Sequence, residues 1–206
     1  MPSLEGLLHI TDKKPLGPFP TFDRAHLLLA FVTIGQKGNV GRHALASSAG
    51  LGEGAIRTVI KRLREEGLAT VGPSGCRLTP NGKRVYSALA GRLSAAIEVR
   101  SSDLTMGAHQ VGVAVRKGGA KVTSGIEQRD SAIKVGAAGA TTYIIRDHRF
   151  TIPGGSSDCE HDYPSEVWDV LRKGLEPREN DAVILCGAAL PILANLGAIA
   201  AATTLL

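Results

Sequence analysis

Basic and hydroxyl side chains recur at helical spacing between residues 53 and 66. Arg57, Lys61 and Arg64 follow one another at intervals of four and three residues, which places them on one face of an α-helix. Guanidinium and ammonium groups donate hydrogen bonds to phosphates, and a guanidinium also matches the acceptor edge of guanine. Thr58 adds a hydroxyl next to Arg57. The spacing therefore predicts a helix face suited to contact the bases and backbone of a nucleic acid.

The candidate residues divide by what each side chain can reach. Gly54 near the start of the helix is small enough to allow close approach, and we expect Arg57 and Thr58 to contact base edges. The residues assigned to the phosphate backbone are Arg42, His43, Lys61, Arg62, Arg64 and Arg77, and Ser74 completes the predicted DNA-binding set. A solvated helix face is the alternative explanation of the same basic residues.

Three predicted helices position this face. Apolar periodicity indicates helices over residues 22–35, 41–49 and 53–66, and the tight turn Gly50-Leu51-Gly52 joins the last two. The third helix carries an apolar stripe from Ile56 to Leu63, away from its basic face.

A hairpin and a fourth helix follow. Residues 68–78 contain two short strands around the turn Gly72-Pro73-Ser74-Gly75, and Thr79-Pro80 opens a helix whose apolar period extends to Ile97. This order of elements matches a winged helix-turn-helix over residues 22–100. Residues 53–66 would then be the recognition helix in the major groove, and residues 68–78 the wing on the backbone.

Charge divides the chain near residue 100. Residues 1–100 hold fourteen Lys and Arg against seven Asp and Glu, a net +7, while residues 101–206 hold ten against twelve, a net −2. A basic half indicates a module that binds a polyanion. Residues 1–21, rich in proline between positions 12 and 21, are predicted to form an extended arm before the first domain.

The second half interleaves strands and helices. Residues 111–115 predict a strand, Asp147-His148 a hairpin turn, and residues 164–174 a helix. We therefore expect an α+β protein, in which a small mixed α/β domain over residues 101–206 follows the winged helix-turn-helix.

One helix of this second domain carries candidate ligand-binding residues. Ser124 and Glu127 are spaced as a capping box, and Asp130 precedes Lys134 by four residues as an ion pair would. Together with Arg129, these residues form a candidate site for a small effector. Helix capping and surface pairing are the alternative explanation.

Other suggestive groups carry weaker signals. Residues 158–162 are all possible metal ligands, but adjacent ligands rarely converge and no matching Cys/His pair has zinc-site spacing. Cys186 lies between an apolar strand and a helix without an evident base. No catalytic residue, metal or cofactor is predicted.

The C-terminal 25 residues, 182–206, carry no charge. They are long enough to span a bilayer, but Pro191, Asn195 and the predominance of alanine favour a buried strand and helix, so a membrane partner is not expected. Three cysteines without a CxxC pair, and no secretory signal, indicate a reducing cytoplasm.

Particular stretches resemble known proteins. The segments Gly50-Leu51-Gly52-Glu53-Gly54, the EEGL ending at Leu68, and Leu78-Thr79-Pro80-Asn81-Gly82 resemble archaeal winged-helix regulators. With PFPTFDRAH and SGIEQRDSAIKVGAAGATT, the chain resembles an archaeal family that joins such a winged helix to a C-terminal domain of unknown function. The resemblance implies DNA binding and supplies no chemistry for the second domain.

The leading hypothesis is a transcriptional regulator that binds double-stranded DNA. Its second domain would sense a small-molecule effector or hold a homodimer together. The alternatives are an enzyme with a fused DNA-binding domain, a regulator tethered to a membrane through residues 182–206, and RNA or protein binding by the same fold.

Overall fold

The computed structural model describes residues 3–12 and 22–206. The chain divides into two compact units, Met1–Leu89 and Ala90–Leu206. This division falls earlier than residue 100, where the charge balance changes, because the segment after Leu89 contributes to the sheet of the second unit.

The first unit is helical with one hairpin. Its elements are α1 (Leu4–Leu8), a short 3-10 turn (Ile10–Asp12), α2 (Arg24–Lys37), α3 (Arg42–Ala49), α4 (Glu53–Glu65), β1 (Ala69–Gly72), β2 (Gly75–Leu78) and α5 (Pro80–Ala90). Asp23 caps α2 by accepting from the His26 amide at 3.2 Å. The apolar stripe of α4 is buried, with Ile56, Val59 and Leu63 fully inaccessible, as its helical periodicity predicts.

The N-terminal segment is not an extended arm throughout residues 1–21. Ser3 caps α1 by accepting from the Gly6 amide at 3.0 Å, and both Leu7 and Ile10 are 1% exposed. Helix α1 and the following turn pack against α2 because these apolar side chains have a core to enter. Residues 13–21, which hold the proline-rich part of the predicted arm, lie outside the described residues.

The second unit is built on a five-stranded antiparallel sheet in the order β3-β4-β7-β5-β6. Its elements are β3 (Ile97–Val99), β4 (His109–Val115), a 3-10 turn (Gly118–Lys121), α6 (Ile126–Lys134), β5 (Gly139–Arg146), β6 (Arg149–Thr151), α7 (Cys159–Asp162), α8 (Val167–Leu175), β7 (Ala182–Ala188) and α9 (Pro191–Thr203).

Helices cover both faces of this sheet. Trp168 of α8 stacks edge-on against Tyr143 of β5 at 5.1 Å between ring centroids, and Val183 and Leu185 of β7 join the same cluster. On the other face, a Cβ at Gly197 of α9 would lie 2.6 Å from the Cys186 sulfur, so this helix packs directly on β7. An N-terminal helical domain followed by a mixed α/β domain is therefore confirmed as the fold class.

Two local predictions in this region are wrong. Helix α5 ends at Ala90, and Ile97 lies in β3 opposite Gly112, because pairing with β4 satisfies its backbone and places its side chain against the core of the second unit. The capping box does not form either. Gly125, with a left-handed φ of 79°, is the N-cap of α6, and Ser124 only accepts from the Ile126 amide at 3.4 Å.

The uncharged C-terminal residues 182–206 form a buried strand and helix, as predicted. Every residue of β7 is buried, because it is the central strand and is covered on both faces. Within residues 3–12 and 22–206, no helix has the length and hydrophobicity needed to cross a bilayer.

Candidate nucleic-acid interface

A three-residue turn fixes the direction of α4 relative to α3. Gly50 adopts the left-handed conformation, with φ of 65°, and the Leu51 amide donates to the Ala46 carbonyl at 2.9 Å to close the end of α3. Gly52 is the N-cap of α4. The glycine conformation and this closing bond set α4 off from α3 with its basic face exposed.

The β1–β2 hairpin is held beside the start of α3. Val40, two residues before α3, exchanges two backbone hydrogen bonds with Cys76 of β2, at 2.9 and 2.8 Å. Gly75 has a φ of 126°, and a Cβ there would lie 2.6 Å from the Val40 carbonyl oxygen. This close approach requires glycine and fixes the hairpin against the chain that leads into α3.

A basic groove of about 550 Å³ lies between these elements. Arg42 of α3 borders it, together with Arg57, Lys61 and Arg64 of α4 and residues 71–76 of the hairpin. Among the residues that the structure describes, none that lines this groove is acidic. The groove therefore concentrates positive charge in a concave surface, which favours a polyanion.

Two of these cations have only weak partners on α4 itself. The Arg57 guanidinium lies 3.9 Å from the Glu53 carboxylate, and the Lys61 ammonium lies 3.9 Å from that of Glu65. All four side chains are more than half exposed, and exposed pairs of this kind contribute about 0.5 kcal/mol. A phosphate can replace such a partner at little cost.

Arg62 does not belong to this surface, although the sequence assigns it to phosphate contacts. Its Nη1 donates to the Ile10 carbonyl at 3.3 Å, and its guanidinium lies 5.3 Å from the centre of the Phe22 ring. Arg62 thus lies on the flank of α4 that meets the N-terminal segment, and a phosphate contact would require it to leave these partners.

The remaining predicted residues are exposed and lie at or beyond the margins of the groove. Ser74 lines it at the hairpin turn. Arg77 pairs with Thr70, so strand alternation directs it to the hairpin face opposite Cys76. Three exposed residues do not line the groove: His43, Gly54 and Thr58.

The groove also has an exposed apolar residue that was not in the predicted set. Val71 is 50% exposed and lines the groove from the hairpin. Alternation along β1 was the available signal, since Val71 pairs with Cys76 and shares its face.

The candidate effector residues lie at the surface of the second unit. Ser124 precedes the helix, and the other four, Glu127, Arg129, Asp130 and Lys134, lie on α6. All five are exposed, and Arg129 pairs with Asp130 at 3.0 Å. Of the five, Arg129 borders an open groove of about 900 Å³ formed by residues 101–108 and 138–141.

The possible metal ligands of residues 158–162 have separate partners. Asp158 pairs with Arg149 at 2.7 Å, Glu160 accepts from Arg172 at 2.8 Å, and His161 contacts its neighbour Asp162. In the part of the chain that the structure describes, no three His, Cys, Asp or Glu residues are placed to hold a metal ion.

The cysteine thiols are buried. Burial raises the pKa of the Cys186 thiol to about 12, which makes it a poor nucleophile. Burial also raises the pKa of Cys76, and nearby Arg64 offsets this only in part.

The helical N-terminal unit with its basic groove is similar to known DNA-binding domains. Residues 24–93 match the family model described as the CggR N-terminal DNA binding domain, and residues 106–205 match the Domain of unknown function DUF4443. The chain thus corresponds to a helix-turn-helix regulator with a C-terminal domain of unknown function, which confirms the resemblance.

A solved structure has a similar fold over most of the chain. A hypothetical protein from Pyrococcus horikoshii OT3 is 26% identical, with a TM-score of 0.70, and the match covers 88% of this chain and 91% of that chain. No match to this sequence was found among the curated proteins.

Proposed function

We propose that this protein is a transcriptional regulator that binds double-stranded DNA through a winged helix-turn-helix. In this proposal α4 enters the major groove and the β1–β2 hairpin is the wing on the backbone. The basic groove carries the proposal, because four cations from two helices converge there and its lining, in the described part of the chain, contains no acidic residue.

Duplex DNA fits this surface better than duplex RNA. An α-helix with its side chains is about 10–12 Å across, which matches the major groove of B-form DNA at about 12 Å. The major groove of A-form RNA is deep and narrow, and side chains cannot reach its base edges. The exposed, 13-residue α4 therefore favours DNA.

The residues are proposed to act according to their positions. Arg57, one turn into α4, would contact base edges, with Thr58 beside it and Gly54 allowing close approach. Backbone contacts would come from the remaining exposed cations and polar groups, namely Arg42, His43, Lys61, Arg64, Ser74 and Arg77.

The second unit is proposed to hold a homodimer together or to sense a small molecule. A groove of about 800 Å³ lies between residues 98–104 and 163–167, within the size range of small-molecule sites. Dimerisation through the second unit would hold two DNA-binding units together, as is needed because helix-turn-helix dimers contact half-sites one helical turn apart.

Binding isotherms of the full chain test the proposal. Fluorescence anisotropy would compare a duplex selected from random DNA, a scrambled duplex, single-stranded DNA and duplex RNA. We expect the selected duplex to bind most tightly, and Arg57→Ala to cost about 1–3 kcal/mol on it and flatten the preference. Lys173→Ala is the control, since this exposed lysine of the second unit also pairs with an acid four residues away. Equal affinity for the selected and scrambled duplexes, or tighter binding of RNA, would contradict the proposal.

A further inference from the structure

The outer face of α6 carries an exposed isoleucine near each end of the helix. Ile126 is 51% exposed and Ile133 is 47% exposed, and seven residues of helix place them on the same side. Met106, 71% exposed, lines the same groove as Ile133 and extends the apolar surface beyond the helix. We call the surface made by Ile126, Ile133 and Met106 the α6 patch.

The inner face of α6 is firmly packed, so the outer face is exposed while the helix is folded. Ala132 is fully buried, and Gln128 is 1% exposed with its Nε2 donating to the Thr204 hydroxyl of α9 at 2.6 Å. Burying an exposed isoleucine is favourable by about 25 cal/mol per Å² of apolar surface removed from water. Covering the α6 patch would therefore lower the free energy of the protein in water.

The charges around the patch are balanced and ordered. Glu127 lies near the start of α6 and Lys134 at its end, seven residues apart and on the same flank. Arg129 and Asp130 lie between them, near the middle of the helix. The four charges sum to zero, unlike those of the basic groove, so this face does not suit a polyanion.

We infer that the α6 patch is the surface through which two copies of this chain associate, with the two α6 helices antiparallel about a two-fold axis. Such an axis keeps each flank against the same flank of the other helix and reverses its direction. Glu127 of one copy then faces Lys134 of the second copy, and the reverse pair forms by symmetry.

The charge order makes the second copy the fitting occupant. A helix with acid at one end and base at the other complements itself only when antiparallel, and Ile126 of each copy then meets Ile133 of the other. This inference rests on the proposed function, in that it names the surface by which the second unit would link two DNA-binding units.

The test uses the full chain and its oligomeric state without DNA. Analytical ultracentrifugation over a range of concentrations should show a dimer, and Ile133→Asp should raise its dissociation constant at least about tenfold. Val170→Asp is the matched control, because Val170 is 42% exposed on α8, across the sheet from α6. Melting curves verify that both variants remain folded.

Exchanging the charges of Glu127 and Lys134 distinguishes the antiparallel dimer from non-specific hydrophobic association. Glu127→Lys and Lys134→Glu should each weaken the dimer, since each creates two like-charge pairs by symmetry, and the double variant should restore it. A monomeric wild type, an Ile133→Asp variant that dimerises normally, or a double variant weaker than either single one would overturn the inference.

DNA binding is measured separately in the same proteins. On a duplex with a single half-site, Ile133→Asp should bind as the wild type does. A dimer that fails to bind DNA would overturn the proposed function alone, and a monomer that binds DNA would overturn this inference alone.

Discussion

Lys61 and Arg62 are neighbours in sequence, and the structure predicts opposite consequences for removing them. Lys61 is 73% exposed and borders the basic groove, so Lys61→Ala should remove about one phosphate contact. Each contact contributes about 0.9 to the slope of log affinity against log salt concentration. Raising the salt concentration from about 50 to 200 mM should weaken DNA binding in both proteins. The factor by which the affinity falls should be about 3.5 times smaller for the variant than for the wild type. Its stability should change by about 0.5 kcal/mol at most, through the exposed pair with Glu65.

Arg62→Ala should instead lower stability and leave the salt slope unchanged. It removes a hydrogen bond to the Ile10 carbonyl and the contact with the Phe22 ring, together about 1–2 kcal/mol for a half-buried guanidinium. In a unit of this size, that corresponds to a fall of about 4–10 °C in the melting temperature. Thermal melts and salt-dependent isotherms of both variants provide the two readouts. If Arg62→Ala lowered the salt slope as Lys61→Ala does, with no loss of stability, the assignment of Arg62 to the N-terminal segment would be refuted.

Three further outcomes follow from packing and burial. Gly82→Ala should destabilise the first unit by roughly 1–3 kcal/mol, because its Cβ would lie 2.0 Å from a backbone carbonyl oxygen. Gly54→Ala should not destabilise it, since a Cβ there meets nothing within 4 Å. Chemical denaturation of both variants compares the two effects. Arg116→Ala should cost about 1–3 kcal/mol in the same assay, because it removes the 2.8 Å partner of Asp181, which is 2% exposed, while the Lys117 and Arg178 amides still donate to this carboxylate. An unchanged midpoint would count against this pairing. The Cys186 thiol, with its pKa raised to about 12, should resist iodoacetamide at pH 9 in the folded protein and react on unfolding, and rapid labelling of the native chain would contradict its burial. Because the folded protein retains this proton at a pH where the unfolded chain loses it, the free energy of unfolding should fall as the pH rises above 9.

Elements with a strong local signal could be predicted from the sequence. The stripe from Ile56 to Leu63 has one periodicity and therefore one solution, a helix buried on that side. The turn residues 72–75 specify the hairpin, and Thr79 caps α5 by accepting from the Gly82 amide at 3.0 Å. In each of these elements, local chemistry and tertiary packing favour the same conformation.

The features that were not predicted depend on partners distant in sequence. Ile97 continues a helical period, but pairing with β4 places it in a strand. Arg62 has the side chain of a typical phosphate ligand, but it contacts the N-terminal segment, which packs against α4 from 52 residues earlier in the sequence. At α6, the left-handed conformation of Gly125 takes the N-cap position that Ser124 was expected to hold. Sequence spacing carries no information on such contacts.

Selection of bound sequences from a random duplex library by the full chain tests the central claim most directly. The account predicts enrichment of a defined motif, repeated as half-sites about 10–10.5 base pairs apart if two copies bind together. The same selection with Arg57→Ala should give a weaker or flattened motif. Failure of the wild-type chain to enrich any sequence, or enrichment identical for both proteins, would contradict recognition of DNA by this face of α4.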